Sequence, residues 1–222
     1  MRGLYAIVDV DSLTKRGLDP LWFAEIVLAE KPAAIQLRDK SGGARRTLAW
    51  LRAIAPIAAR AGVPLFANDR PDLAILAGCD GVHVGQDDLP VATVRSLAPA
   101  RGLRVGLSTH DAEQLEAAIA EGPDYIAIGP IFPTASKEKP DPVVGIEGLR
   151  ALAARVRAAR PGLPIVAIGG ITAANAAEVG AIADMAAVIQ AILPTGDGAP
   201  EDEIRAKTRA FGAALRGEER AS

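Results

Sequence analysis

Eight short apolar or β-branched runs recur along this chain at a spacing of about 26 residues, and that rhythm restricts its possible folds more than any other feature. The runs cover residues 4–10, 33–38, 64–68, 81–84, 104–109, 125–129, 164–169 and 185–192. Helical patterns fill the intervals, most clearly over 45–61, 113–121, 147–160, 173–179 and 201–215. Stretches such as Ile165-Val166-Ala167-Ile168 do not alternate with polar residues, as expected of parallel strands covered on both faces. The pattern alone admits a closed eightfold barrel or an open doubly wound sheet. Eight units with no extra domain, and polar residues collected at many strand ends, favour an α/β fold of the (β/α)8 TIM-barrel type, with residues 1–222 as a single domain.

Only 4% of residues are aromatic, so the core must be built from Ala, Val, Ile and Leu. Acidic and basic residues nearly balance, at 27 and 25, which makes the chain a poor general binder of nucleic acid. The single cysteine, Cys79, has no intrachain partner and no companion for a thiolate metal site, so it reads as a small buried hydrophobe. No apolar run reaches a bilayer-spanning length, and the first residues carry no basic leader, so a soluble cytoplasmic protein without membrane partners is expected. Residues 130–145, with Pro133, Pro140, Pro142, Lys137 and Lys139, form the longest stretch without periodicity and are expected to be an active-site loop. Residues 217–222 are expected to fray.

In such a barrel the C-terminal strand ends share one mouth. Polar groups stand where the apolar runs stop: Asp9, Gln36 through Lys40, Asn68-Asp69, His83 through Asp88, and Ser108 through His110. Gln36, Arg38 and Lys40 are two apart and share one side if the strand persists. Two cations beside an amide suit an anion, because Arg grips phosphate oxygens with two donors and Lys supplies a point charge. The competing reading is that they are solvated or pair with Asp39 and nearby acids. Lys137 adds a third charge if its loop closes and is otherwise a surface lysine.

Asp69 ends the third run and Asp88 follows the fourth by four residues. With no Cys or His cluster beside them, these carboxylates suit Mg²⁺ shared with water and phosphate oxygens. Capping the helix that opens at Pro71 is the alternative for Asp69, and Asp87 reads as solvent-facing or capping. Gly106-Leu107-Ser108-Thr109-His110 lacks the glycine after the serine that a nucleophile elbow needs, so Ser108 reads as a donor to substrate. His110 reads equally as a cap or loop holder, and His83 as a structural strand-end histidine. Gly169-Gly170-Ile171-Thr172, before a helix, offers amides for a phosphate. Neither a phosphate-binding Gly-x-x-x-x-Gly-Lys loop nor a Gly-x-Gly-x-x-Gly fingerprint is present, which argues against an ATPase and a dinucleotide fold.

Taken in order, Gln36-Leu37-Arg38-Asp39-Lys40, Asn68-Asp69, His83-Val84-Gly85-Gln86-Asp87-Asp88, Gly106 to His110, Gly129-Pro130-Ile131-Phe132-Pro133-Thr134-Ala135-Ser136-Lys137 and Ala167-Ile168-Gly169-Gly170-Ile171 resemble the thiamine-phosphate synthase family. The likeness runs from Leu4 to about Leu193. It implies an enzyme that joins 4-amino-2-methyl-5-pyrimidinylmethyl diphosphate to 4-methyl-5-(2-phosphoethyl)thiazole, or its carboxylated form, giving thiamine phosphate and pyrophosphate. By motif, the resemblance places Gln36 on the pyrimidine, and Arg38, Lys40, Asn68 and Lys137 on the diphosphate. It puts Asp69 and Asp88 on Mg²⁺, and Ser108 on the pyrimidine or the departing diphosphate. Thr134 and Ser136 fall near the thiazole phosphate, with the Gly169 amide donating to it.

Two positions depart from the family pattern. Gln190 stands where a small Ser usually serves the thiazole phosphate, and Ser136 where Thr is common. A related thiazole tautomerase, with His110 moving a proton, is the competing enzyme, but it has no need of Asn68, Asp69 and Asp88 together. A non-catalytic sensor of phosphate ligands is a third class. A homo-oligomer is compatible with the sequence.

Overall fold

The computed structural model describes residues 2–134, 141–196 and 199–217. Eight parallel strands close into a barrel in sequence order: β1 (Gly3–Asp9), β2 (Ala34–Arg38), β3 (Leu65–Asn68), β4 (Gly81–Val84), β5 (Arg104–Thr109), β6 (Tyr125–Ile128), β7 (Ile165–Ile168) and β8 (Met185–Val188). β8 pairs back onto β1, with Leu4 opposite Ala186, so the open sheet is excluded and the (β/α)8 expectation holds. Among the described residues the helices are α1 (Val10–Thr14), α2 (Pro20–Ala29), α3 (Ala44–Ala61), α4 (Pro71–Ala77), α5 (Val91–Leu97), α6 (Ala112–Glu121), α7 (Gly145–Ala159), α8 (Ala176–Gly180) and α9 (Pro200–Arg216). None is long and apolar enough to cross a membrane. Residues 218–222, in the expected tail, lie outside the described residues.

The strands alternate after all, but between two apolar environments. Tyr5 and Ile7 of β1 point into the barrel with Phe66, Tyr125, Val166 and Met185, whereas Leu4, Ala6 and Val8 pack outward under the helices. Few large rings fill the barrel because glycine makes room for them. A Cβ on Gly106 would fall 1.9 Å from the Tyr125 ring, and one on Gly81 2.4 Å from the Phe66 ring. An acid stands immediately before each of β4, β6 and β8 and accepts an N–H at the start of the preceding strand. The bonds are Leu65 N to Asp80 (2.9 Å), Val105 N to Asp124 (2.8 Å) and Ile165 N to Asp184 (2.9 Å), and they pin the register at the barrel floor.

Helix starts follow local chemistry. Asp19 caps α2, accepting from Trp22 N at 2.8 Å with Pro20 at the first helical position, and Asp111 caps α6 through Gln114 N at 2.8 Å. α9 is tied to the loop before it by Glu203, which accepts from Thr195 N and Oγ1 at 2.9 Å each and from Gly196 N at 3.1 Å. Lys207 is the largest cause, with those loop donors, of the Glu203 carboxyl being held down to about 2.

A carboxyl whose folded value lies below its ordinary 4.5 adds stability that is complete above that value and lost as pH falls through about 2. Glu203→Gln is therefore expected to melt below the wild type at pH 7, with the gap closing between pH 4.5 and 2. Thermal melts across that window check this, and a gap that persists at the acid end contradicts it.

Candidate active site

A cavity of about 830 Å³ opens at the C-terminal ends of the strands. At one side β2 delivers Gln36, which is buried, and Arg38, whose Nη1 donates to Asp9 at 2.5 Å. Asp9 is itself fixed by capping α1 through Ser12 N at 2.8 Å. The pair with Asp9 engages one of the five guanidinium donors, and Arg38 also lines the cavity. So Arg38 pairs with a nearby acid, Asp9, as the competing reading allows, while it still lines the cavity; Asp39 instead binds Arg46 and Thr47. β2 stops at Arg38, which places Lys40 beyond the strand, yet Lys40 still lines the cavity and meets Asp69 at 2.5 Å.

Asn68 and Asp69 follow from β3, and both line the cavity. Asp69 is not the helix cap considered above: the residue capping α4 is Arg70, with no side-chain bond. Its backbone is left-handed (φ 60°), a region that Asp tolerates better than most residues, and its N–H donates to His83 O at 2.8 Å. That turn delivers the carboxylate to Lys40 and Asp88. Asp88 accepts from Gly85 N at 2.7 Å, which closes the turn after β4. Burial raises the Asp88 carboxyl above its ordinary value, and the Asp69 carboxylate within hydrogen-bonding reach adds to that rise.

Two carboxylates crowded in this way beside a cavity fit a hard divalent cation. Among the described residues no group of three or more His, Cys, Asp or Glu side chains could hold a metal, which rules out an all-protein cage there. One or two carboxylates, with water and substrate phosphates completing the shell, is the way Mg²⁺ is usually held. The donor set therefore fits the expected ion.

The opposite wall is built from backbone. Gly129 and Pro130 meet Gly169 and Gly170 so closely that a Cβ on Gly169 would lie 2.5 Å from Pro130 Cβ. Both Gly169 (φ 98°) and Gly170 (φ 64°) use the left-handed region. Ile131 N donates to Ile168 O at 2.9 Å and Phe132 N to Gly169 O at 3.0 Å, which anchors the start of the 130–145 loop. The far end returns to the same place, with Val144 N on Pro130 O at 2.8 Å and Gly145 N on Ile131 O at 3.1 Å. Thr134 lines the cavity; Ser136 and Lys137 lie outside the described residues.

Past β8 the chain leaves the strand earlier than expected, and Gln190–Ile192 forms a 3₁₀ turn. Gln190 lines the cavity, but its amide is engaged by α1 and its extension: Nε2 donates to Ser12 Oγ at 2.9 Å and Oε1 accepts from Arg16 at 2.9 Å. Ser108 lines the floor and bonds His83 Nε2 at 2.8 Å. His110 does not cap α6; its Nδ1 meets Gly129 O at 2.5 Å, and its Nε2 lies 3.5 Å from Asp141. Tyr5, Tyr125 and Gln86 also line the cavity; Gln86 stands in the strand-end set without an assigned role, and sequence reasoning passed over the two tyrosines. A phenol inside an apolar strand needs a polar partner, and that was the available signal.

Fold and mouth together define a class: a (β/α)8 barrel with an acidic and basic edge suited to a metal-bound polyphosphate, facing a glycine wall suited to a second anion. Residues 4–192 match the thiamine monophosphate synthase family, and the chain belongs to it. It is 46% identical over 196 residues to the thiamine-phosphate synthase of Koribacter versatilis, covering 86% of this chain and 88% of that one. It is 42% identical over 215 residues to that of Roseiflexus castenholzii, covering 95% and 87%. Its fold is similar to the solved thiamine phosphate pyrophosphorylase of Pyrococcus furiosus, with a TM-score of 0.81, 29% identity, and coverage of 97% and 96%.

Proposed function

We propose that this chain transfers the 4-amino-2-methyl-5-pyrimidinylmethyl group from its diphosphate to 4-methyl-5-(2-phosphoethyl)thiazole, or its carboxylated form, in a Mg²⁺-dependent reaction in the cytoplasm. The observation that carries this reading is the meeting of Asp69 and Asp88 beside Lys40 and Arg38, across one cavity from Gly169. A tautomerase has no use for that edge.

In the reaction the bond from the methylene carbon to the diphosphate oxygen breaks, with its electron pair leaving on the diphosphate. The thiazole nitrogen lone pair then forms the new C–N bond. Arg38, Lys40 and Asn68 bind the diphosphate where negative charge develops, joined by Lys137 from the loop. Asp69 and Asp88 would hold Mg²⁺, which when bound would neutralise charge on the leaving group. Gln36 and Ser108 orient the pyrimidine, and the electron-rich ring stabilises its own cation. The Gly169 amide, Thr134 and Ser136 hold the thiazole phosphate. The 130–145 loop, whose two ends hydrogen-bond to each other at the cavity rim, is the segment assigned to keep water from the cation.

Because its amide is already engaged by Ser12 and Arg16, Gln190→Ala should raise the KM for thiazole phosphate by no more than about fivefold, the worth of one ordinary hydrogen bond. Steady-state kinetics at saturating pyrimidine diphosphate check this, and a rise of a hundredfold would make the amide a direct phosphate ligand.

The function itself is tested by incubating the protein with both substrates and Mg²⁺ and measuring both products. Equal amounts of thiamine phosphate and pyrophosphate support it. Isomerised thiazole phosphate formed without consumption of pyrimidine diphosphate overturns it in favour of a tautomerase.

A further inference from the structure

The floor of the cavity holds an unbroken chain of polar atoms. Gln36 Nε2 lies 3.0 Å from Tyr5 Oη, Tyr5 Oη lies 2.9 Å from Tyr125 Oη, Tyr125 Oη lies 2.8 Å from His83 Nδ1, and His83 Nε2 lies 2.8 Å from Ser108 Oγ. The two tyrosines are about 1% exposed and Gln36 4%, while His83 stacks on the Tyr125 ring at 5.6 Å. Gln36 and Ser108, at the two ends, both line the cavity.

Each phenol has a single proton to give, and burial pushes both phenols well above their ordinary value, so both stay protonated. With the Gln36 amide nitrogen toward Tyr5, the Tyr5 proton goes to Tyr125 and the Tyr125 proton to His83 Nδ1. The imidazole is then neutral with its proton on Nε2, and donates to Ser108. This leaves the Gln36 carbonyl and the Ser108 proton for the cavity. Turning the amide over reverses every bond in the chain: the cavity would then meet an N–H at Gln36 and a lone pair at Ser108. Gln36 cannot turn over alone without leaving a buried polar atom unpaired, which costs about 1–3 kcal/mol, and Ser108 cannot give its proton to His83 while Nε2 carries one.

We propose that Tyr5, Tyr125 and His83 are positioning residues of a one-way hydrogen-bond relay. It locks an acceptor at Gln36 to a donor at Ser108, and so selects a ring that carries an exocyclic amine together with an acceptor atom. A ring with an oxo group in place of the amine meets the wrong polarity at Gln36, and the relay cannot adjust one end to accept it. The choice of ligand rests on the function proposed above, whereas the proton positions concern the protein alone.

Nitrogen NMR of histidine-labelled protein reads the relay directly, because the chain has only two histidines, and His83→Gln assigns them. At neutral pH, His83 is expected to be protonated on Nε2 and bare on Nδ1. Tyr5→Phe should keep that tautomer, since Tyr125 still donates to His83, whereas Tyr125→Phe should give a mixture. Both variants should narrow the preference for the 4-amino over the 4-oxo pyrimidine diphosphate by about tenfold, mainly through KM. If Tyr125→Phe does not fold, Tyr5→Phe still carries the test of ring preference.

A His83 protonated on Nδ1 in the wild type overturns the relay. So does a Tyr5→Phe enzyme that keeps the full ring preference. A wild type that shows the expected tautomer but consumes no pyrimidine diphosphate overturns the functional reading, while the tautomer still supports the relay.

Discussion

Asp69→Asn is expected to lose about a hundredfold or more in kcat, the scale of removing one preorganised charge-stabilising group, while melting within a few degrees of the wild type. Asn tolerates the left-handed backbone at this position as well as Asp does, so the turn after β3 should survive. The lost ion pair with Lys40 is partly solvated, with Lys40 55% exposed, and contributes little to folding. What the substitution removes is one of the two carboxylates proposed to hold the metal. It also removes the neighbouring charge that helps raise the Asp88 carboxyl. Steady-state rates and thermal melts on one preparation check the expectation. An unchanged rate would return Asp69 to a structural role.

Gly169→Ala is expected to destabilise the protein by about 2–4 kcal/mol, through a left-handed φ and overpacking at one position. The new Cβ would fall 2.5 Å from Pro130 Cβ and 3.3 Å from Ile131 N, the point where the 130–145 loop joins β7. Function should suffer with folding, as an amide proposed for the thiazole phosphate is displaced along with the loop base. Gly43→Ala is the control: its φ is −76° and nothing lies within 4 Å of the added carbon, so it should stay within about 1 kcal/mol. Urea unfolding of both variants measures the contrast, and equal stabilities would contradict the packing argument.

These effects follow from features that the sequence exposes unevenly. The eight strands are legible because each is a short apolar run ended by polar groups, and the expected α3, α6, α7 and α9 lie within two residues of the observed helices. α2 was missed because Phe23, Ala24, Ile26, Val27 and Leu28 are all buried, leaving no polar face to reveal a helical period. The eighth run looked like one long strand because Ile189 and Ile192 continue its apolar character, although the chain turns at Gln190.

At the site, charge was legible and direction was not. Asp69 and Asp88 stand out as acids at strand ends, but the left-handed turn that brings one toward the other has no signature in the letters Asn-Asp-Arg-Pro. Tyr5 and Tyr125 were hidden by the apolar strands around them, and their partners come from 31 to 120 residues away. Gln190 was visible as a departure from the family pattern, yet its contacts with Ser12 and Arg16 join residues 174 to 178 positions apart.

The central claim is that the Asp69–Asp88 edge holds a metal-bound diphosphate, and calorimetric titration of the protein with pyrophosphate tests it most directly. With Mg²⁺ present the account predicts one-site binding that weakens at least about tenfold, or about 1.4 kcal/mol, when Mg²⁺ is removed or Asp69 is replaced by Asn. Pyrophosphate binding of equal strength with and without Mg²⁺, and unaltered by Asp69→Asn, would contradict it.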